Sequence, residues 1–261
     1  MQSPDSKEIK TDTPNESGFA KISFRDGDIY KEGIVDAGGN EIVQPRSSML
    51  VKDITGKLAL IEVERKFLFV PLDQGFVSAE DIDSINGFQY AEPYSCGLAK
   101  VVVKDSWFYI DSEGKKAFDL AFEFAESFHL DRALVKAGDR LRIIDTQGNT
   151  VADLNYDQVN PQSPWCWQVT RIEQEKYLSG FVDLQGKEIS ELIYDDVGHY
   201  DPEVKRIRVS IHDRHGFLDE HAMVVIPVQY EHAEVFYRGK ARVVLKGRSF
   251  FINPEGLEVP E

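Results

Sequence analysis

Short apolar runs recur along the chain, each stopped by an acidic or amide residue at a nearly even step. They are Ile34-Val35-Asp36, Pro71-Leu72-Asp73, Tyr109-Ile110-Asp111, Ile143-Ile144-Asp145, Phe181-Val182-Asp183, Phe217-Leu218-Asp219 and Phe251-Ile252-Asn253. The steps between the polar stops are 37, 38, 34, 38, 36 and 34 residues. A fixed period of about 20–50 residues signals a repeat architecture, which decides the fold before any single element does.

Two further patterns share this period. Ahead of each stop, apolar and polar residues alternate in Ala20-Lys21-Ile22, Ala59-Leu60-Ile61, Ala99-Lys100-Val101, Ala133-Leu134-Val135 and Ala241-Arg242-Val243. Trp167-Gln168-Val169 and Ile207-Arg208-Val209 fill the other two places. Alternation with period two predicts a half-buried strand at each. After the stop comes an aromatic residue, an acid and a small or β-branched residue, as in Phe122-Glu123-Phe124-Ala125, Tyr156-Asp157-Gln158-Val159, Tyr194-Asp195-Asp196-Val197 and Tyr230-Glu231-His232-Ala233. Five stops have glycine three residues on: Gly39, Gly114, Gly148, Gly186 and Gly256. Asp-x-x-Gly between apolar runs predicts a hairpin turn, the carboxylate accepting from backbone N–H groups and the glycine taking positive φ. Each unit thus reads strand, longer connection, strand, turn, strand, then an aromatic-acid turn or short strand. No segment predicts an amphipathic helix; Glu123 to Arg132 comes nearest and the repeat register overrides it.

These patterns resemble the WG-repeat (KWG) family. The best match runs from His215-Gly216-Phe217-Leu218-Asp219 through Val225-Ile226-Pro227, Tyr230-Glu231-His232-Ala233 and Phe236 to Gly239-Lys240-Ala241-Arg242-Val243. Gly97-Leu98-Ala99-Lys100-Val101 leading to Trp107-Phe108-Tyr109-Ile110-Asp111 is another. The family's Trp-Gly pair is degenerate: glycine stands at Gly33, Gly180 and Gly216, tryptophan only at Trp107. The resemblance covers roughly residues 18–259 and implies a β-rich recognition scaffold, largely bacterial, with no shared catalytic residues.

A unit of three or four short strands cannot bury its apolar face alone and must stack on its neighbours. The expected fold is all-β, seven repeats forming a seven-bladed β-propeller, with an open twisted β-solenoid of stacked hairpins as the alternative. Residues 1–17, polar and aperiodic, are expected to be a flexible tail. Residues 18–261 are expected to form one domain, its repeats at 18–50, 57–90, 97–128, 131–160, 165–200, 204–236 and 239–259.

The 261 residues carry 45 acids against 30 Lys and Arg, a formal charge of −15. A phosphate-neutralising surface needs the opposite balance, so neither nucleic acid nor anionic membrane is an expected partner. Many of the acids fall in the turns; only the excess points to a basic protein partner. No run approaches the ~18 apolar residues of a membrane span. A cytoplasmic location is expected, or a secreted or periplasmic one if a signal peptide has been removed. Cys96 and Cys166 read as two free, mostly packing thiols.

Candidate chemistry is sparse. The chain has no GxxxxGK[ST], GxSxG or HExxH. His212, His215 and His221 read as loop histidines rather than metal ligands. The run Asp81 to Gly87 fails as a calcium loop because Ile85 stands at a ligand position. No catalytic, cofactor or metal residue is expected. The function expected is a non-enzymatic, acidic protein-binding scaffold, such as an immunity protein that neutralises a basic toxin or effector. A structural assembly module and a propeller-type enzyme with an axial site are the alternatives. The partner-binding candidates are Trp165, in the unusual Trp165-Cys166-Trp167, then His199 and Tyr200 at an off-pattern junction, and the acids Asp195, Asp196, Glu80, Asp81 and Asp83. Exposed tryptophan and tyrosine are favoured as interface anchors.

Overall fold

The computed structural model describes residues 8–261. It is all-β except for one short helix, and its seven sheets are separate, antiparallel blades of three or four strands. In every blade the strands lie side by side in chain order or its mirror. The first is Glu8–Thr11, Phe19–Asp26, Ile29–Asp36 and Glu41–Arg46; the second Met49–Thr55, Leu58–Val63 and Lys66–Pro71; the third Tyr90–Ala91, Ala99–Val103 and Ser106–Ile110. The fourth comprises Phe124–Ala125, Arg132–Ala137, Arg140–Asp145 and Thr150–Leu154; the fifth Gln158–Ser163, Cys166–Glu173 and Lys176–Asp183. The sixth is Asp196–Asp201, Arg206–Ile211, Arg214–Leu218 and Val224–Tyr230, and the seventh His232–Ala233, Ala241–Leu245, Arg248–Ile252 and Glu258–Val259.

The chain divides into two compact units. The first ends at Ala137 and includes Thr146–Gly148; the second holds Gly138–Asp145 and Asn149–Glu261. The first unit's core holds Ile34, Val43, Met49, Ile61 and Leu72, and the second's holds Phe181, Ile207, Val209, Phe217 and Val243, each almost fully buried.

The turn chemistry is as the spacing predicts. Gly39, Gly114, Gly148, Gly186 and Gly256 have φ between +77° and +82°. Ahead of each, one side-chain oxygen accepts from backbone N–H groups two or four residues on: Asp36 from Gly38 and Asn40, Asp111 from Glu113 and Lys115, Asp183 from Gln185 and Lys187, all at 2.9–3.0 Å. The Asn40 side chain, followed by backbone N–H groups, holds the Asp36 carboxyl below its ordinary range. Asp183→Ala is expected to cost about 1 kcal/mol, the worth of a local hydrogen-bonded cap, read as a fall in the denaturant midpoint at unchanged slope.

The longer connection expected inside each unit is instead a tight hairpin. Glu64-Arg65, Lys104-Asp105, Gln174-Glu175, His212-Asp213 and Lys246-Gly247 all have two successive positive φ values, the mark of a type I′ turn. They lack an Asn-Gly signature, and the paired strands on either side impose the conformation. The acid after each aromatic residue helps. Asp195 accepts from His212 N–H, and Glu231 from Lys246 and Gly247 N–H; Gln89 does the same for Asp105. Asp157 accepts from Ile172 N–H, just before its turn.

The aromatic-acid segment also hands the chain from one blade to the next. Phe122 exchanges both backbone hydrogen bonds with Trp107 of the third blade, while Glu123 N–H donates to Lys136 in the fourth. Tyr194 does the same with Ser179 before Asp195 N–H reaches Ser210. In the first blade this entering place is filled by Glu8–Thr11, which pairs with Ile22–Arg25. The expected tail is therefore a paired strand over these four residues; residues 1–7 lie outside the described residues. All four side chains are exposed, so the strand had no burial pattern to reveal it.

Repeat two is read two residues out of register by its Pro71-Leu72-Asp73 stop. Ala59 pairs with Val70, as Ala99 pairs with Ile110, so Pro71 occupies the Asp111 place. Asp73 makes no turn cap and bonds the Gln74 and Lys57 side chains instead. The helix Ala79–Ser84 is likewise not foreseen. Its signal was a capping box: Ser78 Oγ accepts from Asp81 N–H, Asp81 accepts from Ser78 N–H, and Ile82 is buried.

Candidate functional site

In the second unit the turn from Ser163 to Cys166 presents Trp165. Its backbone N–H donates to Ser163 Oγ, which in turn donates to the Glu220 carbonyl at 2.5 Å. The Trp165 ring is 41% exposed and lies 5.3 Å from the His221 ring. Glu220 gathers the site: its carboxylate accepts from Tyr200 Oη at 3.2 Å and from Lys205 Nζ at 3.1 Å. The Lys205 bond, above all, holds that carboxyl below its ordinary range. Trp165 and Tyr200 are thus brought to one turn, joined by Glu220 and His221, which sequence reasoning missed as partners. Trp167 is core, 7% exposed. Cys166 is also core, and burial pushes its thiol pKa up, whereas Cys96 is exposed at φ +52° in a turn and is not a packing residue.

The other candidates separate. His199 is exposed on the strand Asp196–Asp201. Asp195 is a turn cap, and Asp196 pairs with Arg208 at 3.3 Å. In the first unit, Glu80 is exposed in the first turn of the short helix, Asp81 closes its capping box, and Asp83 pairs with Arg46 at 2.7 Å. Among the described residues no group of three or more His, Cys, Asp or Glu is placed to hold a metal ion. Likewise, no described helix is long and apolar enough to cross a membrane.

The first unit contains a polar knot the sequence did not disclose. Lys100, the central residue of an alternating strand, is only 5% exposed. Its Nζ is 3.0 Å from Glu92 and 4.0 Å from Glu126, and 4.9 Å from the Trp107 ring centroid. Glu92 also accepts from Tyr90 Oη at 2.9 Å and Ser127 Oγ at 2.5 Å. The two carboxyls diverge. Desolvation is the largest influence on Glu92, yet the bonds from Ser127, Lys100 and Tyr90 outweigh it and hold its pKa below the ordinary value. Desolvation raises that of Glu126, and the Glu92 charge adds to the rise. Three blades later the same places carry Arg208, His215 and His232, the two imidazoles 6.0 Å apart. Burial, then Arg208 and His232, lowers the His215 pKa.

The repeat place of the family's glycine has a physical basis here. Gly33, Gly180 and Gly216 do not have positive φ. A Cβ on Gly216 would lie 2.6 Å from the Ile226 carbonyl oxygen, and one on Gly180 2.7 Å from that of Glu191. At Gly33 and Gly216 the following strand bulges over the residue, and only glycine lets the two backbones meet. The model of the WG containing repeat matches residues 107–140, 180–210 and 216–248. These three segments are similar to the WG repeat. One contributes the tryptophan at Trp107, and the other two contribute the glycine at Gly180 and Gly216.

No curated protein matches the chain. Among solved structures, a eukaryotic initiation factor is similar over 100% of this chain and 77% of its own, with TM-score 0.50 at 12% identity. Kluyveromyces lactis Hsv2 is similar over 95% of this chain and 91% of its own, with TM-score 0.45 at 9% identity. The Neurospora crassa Pan2 WD40 domain covers 95% and 88%, with TM-score 0.35 at 10% identity. At such identities the likeness concerns the fold alone.

Proposed function

We propose that this WG-repeat chain is a non-catalytic scaffold that binds a basic protein, and that it acts as an immunity-type inhibitor of a basic toxin or effector. The observation that carries this reading is Trp165. It is a large residue left 41% exposed, its backbone held by Ser163 and its ring set against that of His221. A pre-fixed, exposed aromatic residue suits docking of a partner, since little side-chain entropy is lost, and a tryptophan face accepts a cation. The formal charge of −15 supplies long-range attraction to the same kind of partner.

The test is capture from native lysate on the immobilised chain. A basic protein is expected to be retained at low salt, released by about 0.5 M salt, where the screening length falls to a few ångströms, and lost with Trp165→Ala. Retention that ignores both salt and Trp165 overturns the reading. A captured protein whose own enzymatic activity persists in the complex removes the inhibitor part and leaves the scaffold.

A further inference from the structure

In the first unit, four aromatic rings stand in a row along successive blades. Ring centroids are 5.3 Å apart from Phe67 to Tyr90, 5.7 Å from Tyr90 to Trp107 and 6.4 Å from Trp107 to Phe124. Tyr90 and Phe124 are each 38% exposed. They occupy equivalent repeat places, each preceding a buried alanine, Ala91 and Ala125. Phe67 and Trp107 also match: each exchanges backbone hydrogen bonds with the aromatic residue that leaves its blade, Phe88 or Phe122. In the second unit two of these places hold Asp196 and Ser179 and two hold the imidazoles of His215 and His232, so the repeat itself does not require a ring at every one of them.

Three observations define what the row would take. The spacing of 5.3–6.4 Å is close to the ~6.6 Å between alternate side chains of an extended peptide. A cation already stacks in the row, since Lys100 Nζ lies 4.9 Å from the Trp107 centroid. Lys100 is one ammonium facing two carboxylates, Glu92 and Glu126, so the knot beneath the rings carries surplus negative charge. Burial and the neighbouring Glu92 disfavour the charged form of Glu126, a penalty that a second cation would relieve.

We infer that this row is a docking strip for an extended cationic segment of a protein partner. Arginine or lysine side chains four positions apart stack on Tyr90 and Phe124, which stand two ring steps apart on either side of Trp107, with Glu92 and Glu126 alongside. The inference rests on the reading of the chain as a scaffold for a basic partner, and it names a surface separate from Trp165.

The test uses two acetylated, amidated peptides of equal composition and charge, one alternating (Arg-Ser four times) and one blocked (four Arg then four Ser), titrated calorimetrically into the full chain. The alternating peptide is expected to bind at least threefold more tightly. The double variant Tyr90→Leu, Phe124→Leu keeps apolar bulk but removes the ring faces. It is expected to weaken the alternating peptide about tenfold, as two exposed cation–π contacts imply, and to abolish the preference. Trp165→Ala is expected to leave peptide binding unchanged. If the double variant does not fold, the Trp107 indole N–H resonance of the unaltered chain reports contact directly, and its failure to shift with the alternating peptide overturns the proposal. Equal affinity for both peptides, an unchanged double variant, or ring-dependent binding of a neutral hexasaccharide also overturns it. Failure here with Trp165-dependent capture intact leaves the scaffold reading standing. Loss of that capture with the peptide preference intact does the reverse.

Discussion

Gly216→Ala is expected to lose about 3 kcal/mol of stability, more than any other single-methyl addition considered for this chain. The added Cβ would sit 2.6 Å from Ile226 O, 2.7 Å from Val228 N and 2.8 Å from the Pro227 carbonyl carbon. All three atoms are backbone, held by the pairing of Arg214–Leu218 with Val224–Tyr230, so no side chain can turn aside. The contrast is Gly247→Ala, where φ is +74° but nothing lies within 4 Å of the new Cβ. That change costs only left-handed strain, about 1 kcal/mol. Urea unfolding of both variants separates close approach from conformational freedom. Equal losses would show that the backbone above Gly216 yields to the added methyl, and that close approach is not what keeps a glycine there.

Lys100→Met is the second large effect, about 3 kcal/mol at pH 7. It strands two carboxylates that share one buried ammonium. The low end of the range applies because Glu92 and Glu126 remain 30% and 34% exposed. The pH dependence carries the assignment. Glu92 titrates below its ordinary 4.5 in the folded chain, so its stabilising contribution is present above that value and is lost as pH falls through the lower folded one. Glu126 titrates above 4.5, so it opposes folding at neutral pH, and that penalty disappears as pH falls below 4.5. Without Lys100 both carboxyls are costly when charged and harmless when protonated. The gap between the variant and the unaltered chain is therefore expected to narrow steadily from pH 7 to about pH 4. A gap independent of pH would mean that Lys100 contributes packing of its methylene chain and no charge.

The acids illustrate how far the sequence alone could be read. Asp36, Asp111 and Asp183 were legible as turn residues because the hydrogen bonds they accept come from residues two and four places along, and such local bonds leave a fixed spacing. The purpose of Asp195 and Glu231 was not, because the N–H groups they cap lie 15–17 residues away across a hairpin. The same holds for Trp165, flagged by its oddity, and for His221, which meets it only across 56 positions of sequence.

The sequence by itself determined the repeat, its strands and its Asp-x-x-Gly turns, since these follow from local alternation and from backbone chemistry within a few residues. Tertiary structure decided the rest. It set the type I′ turns at pairs without an Asn-Gly signature, the two-residue shift of repeat two and the pairing of Glu8–Thr11. It also placed Lys100 between two carboxylates and aligned four rings from three blades. Each of these depends on which strand lies beside which, and that is fixed when blades stack to bury faces no single repeat can cover.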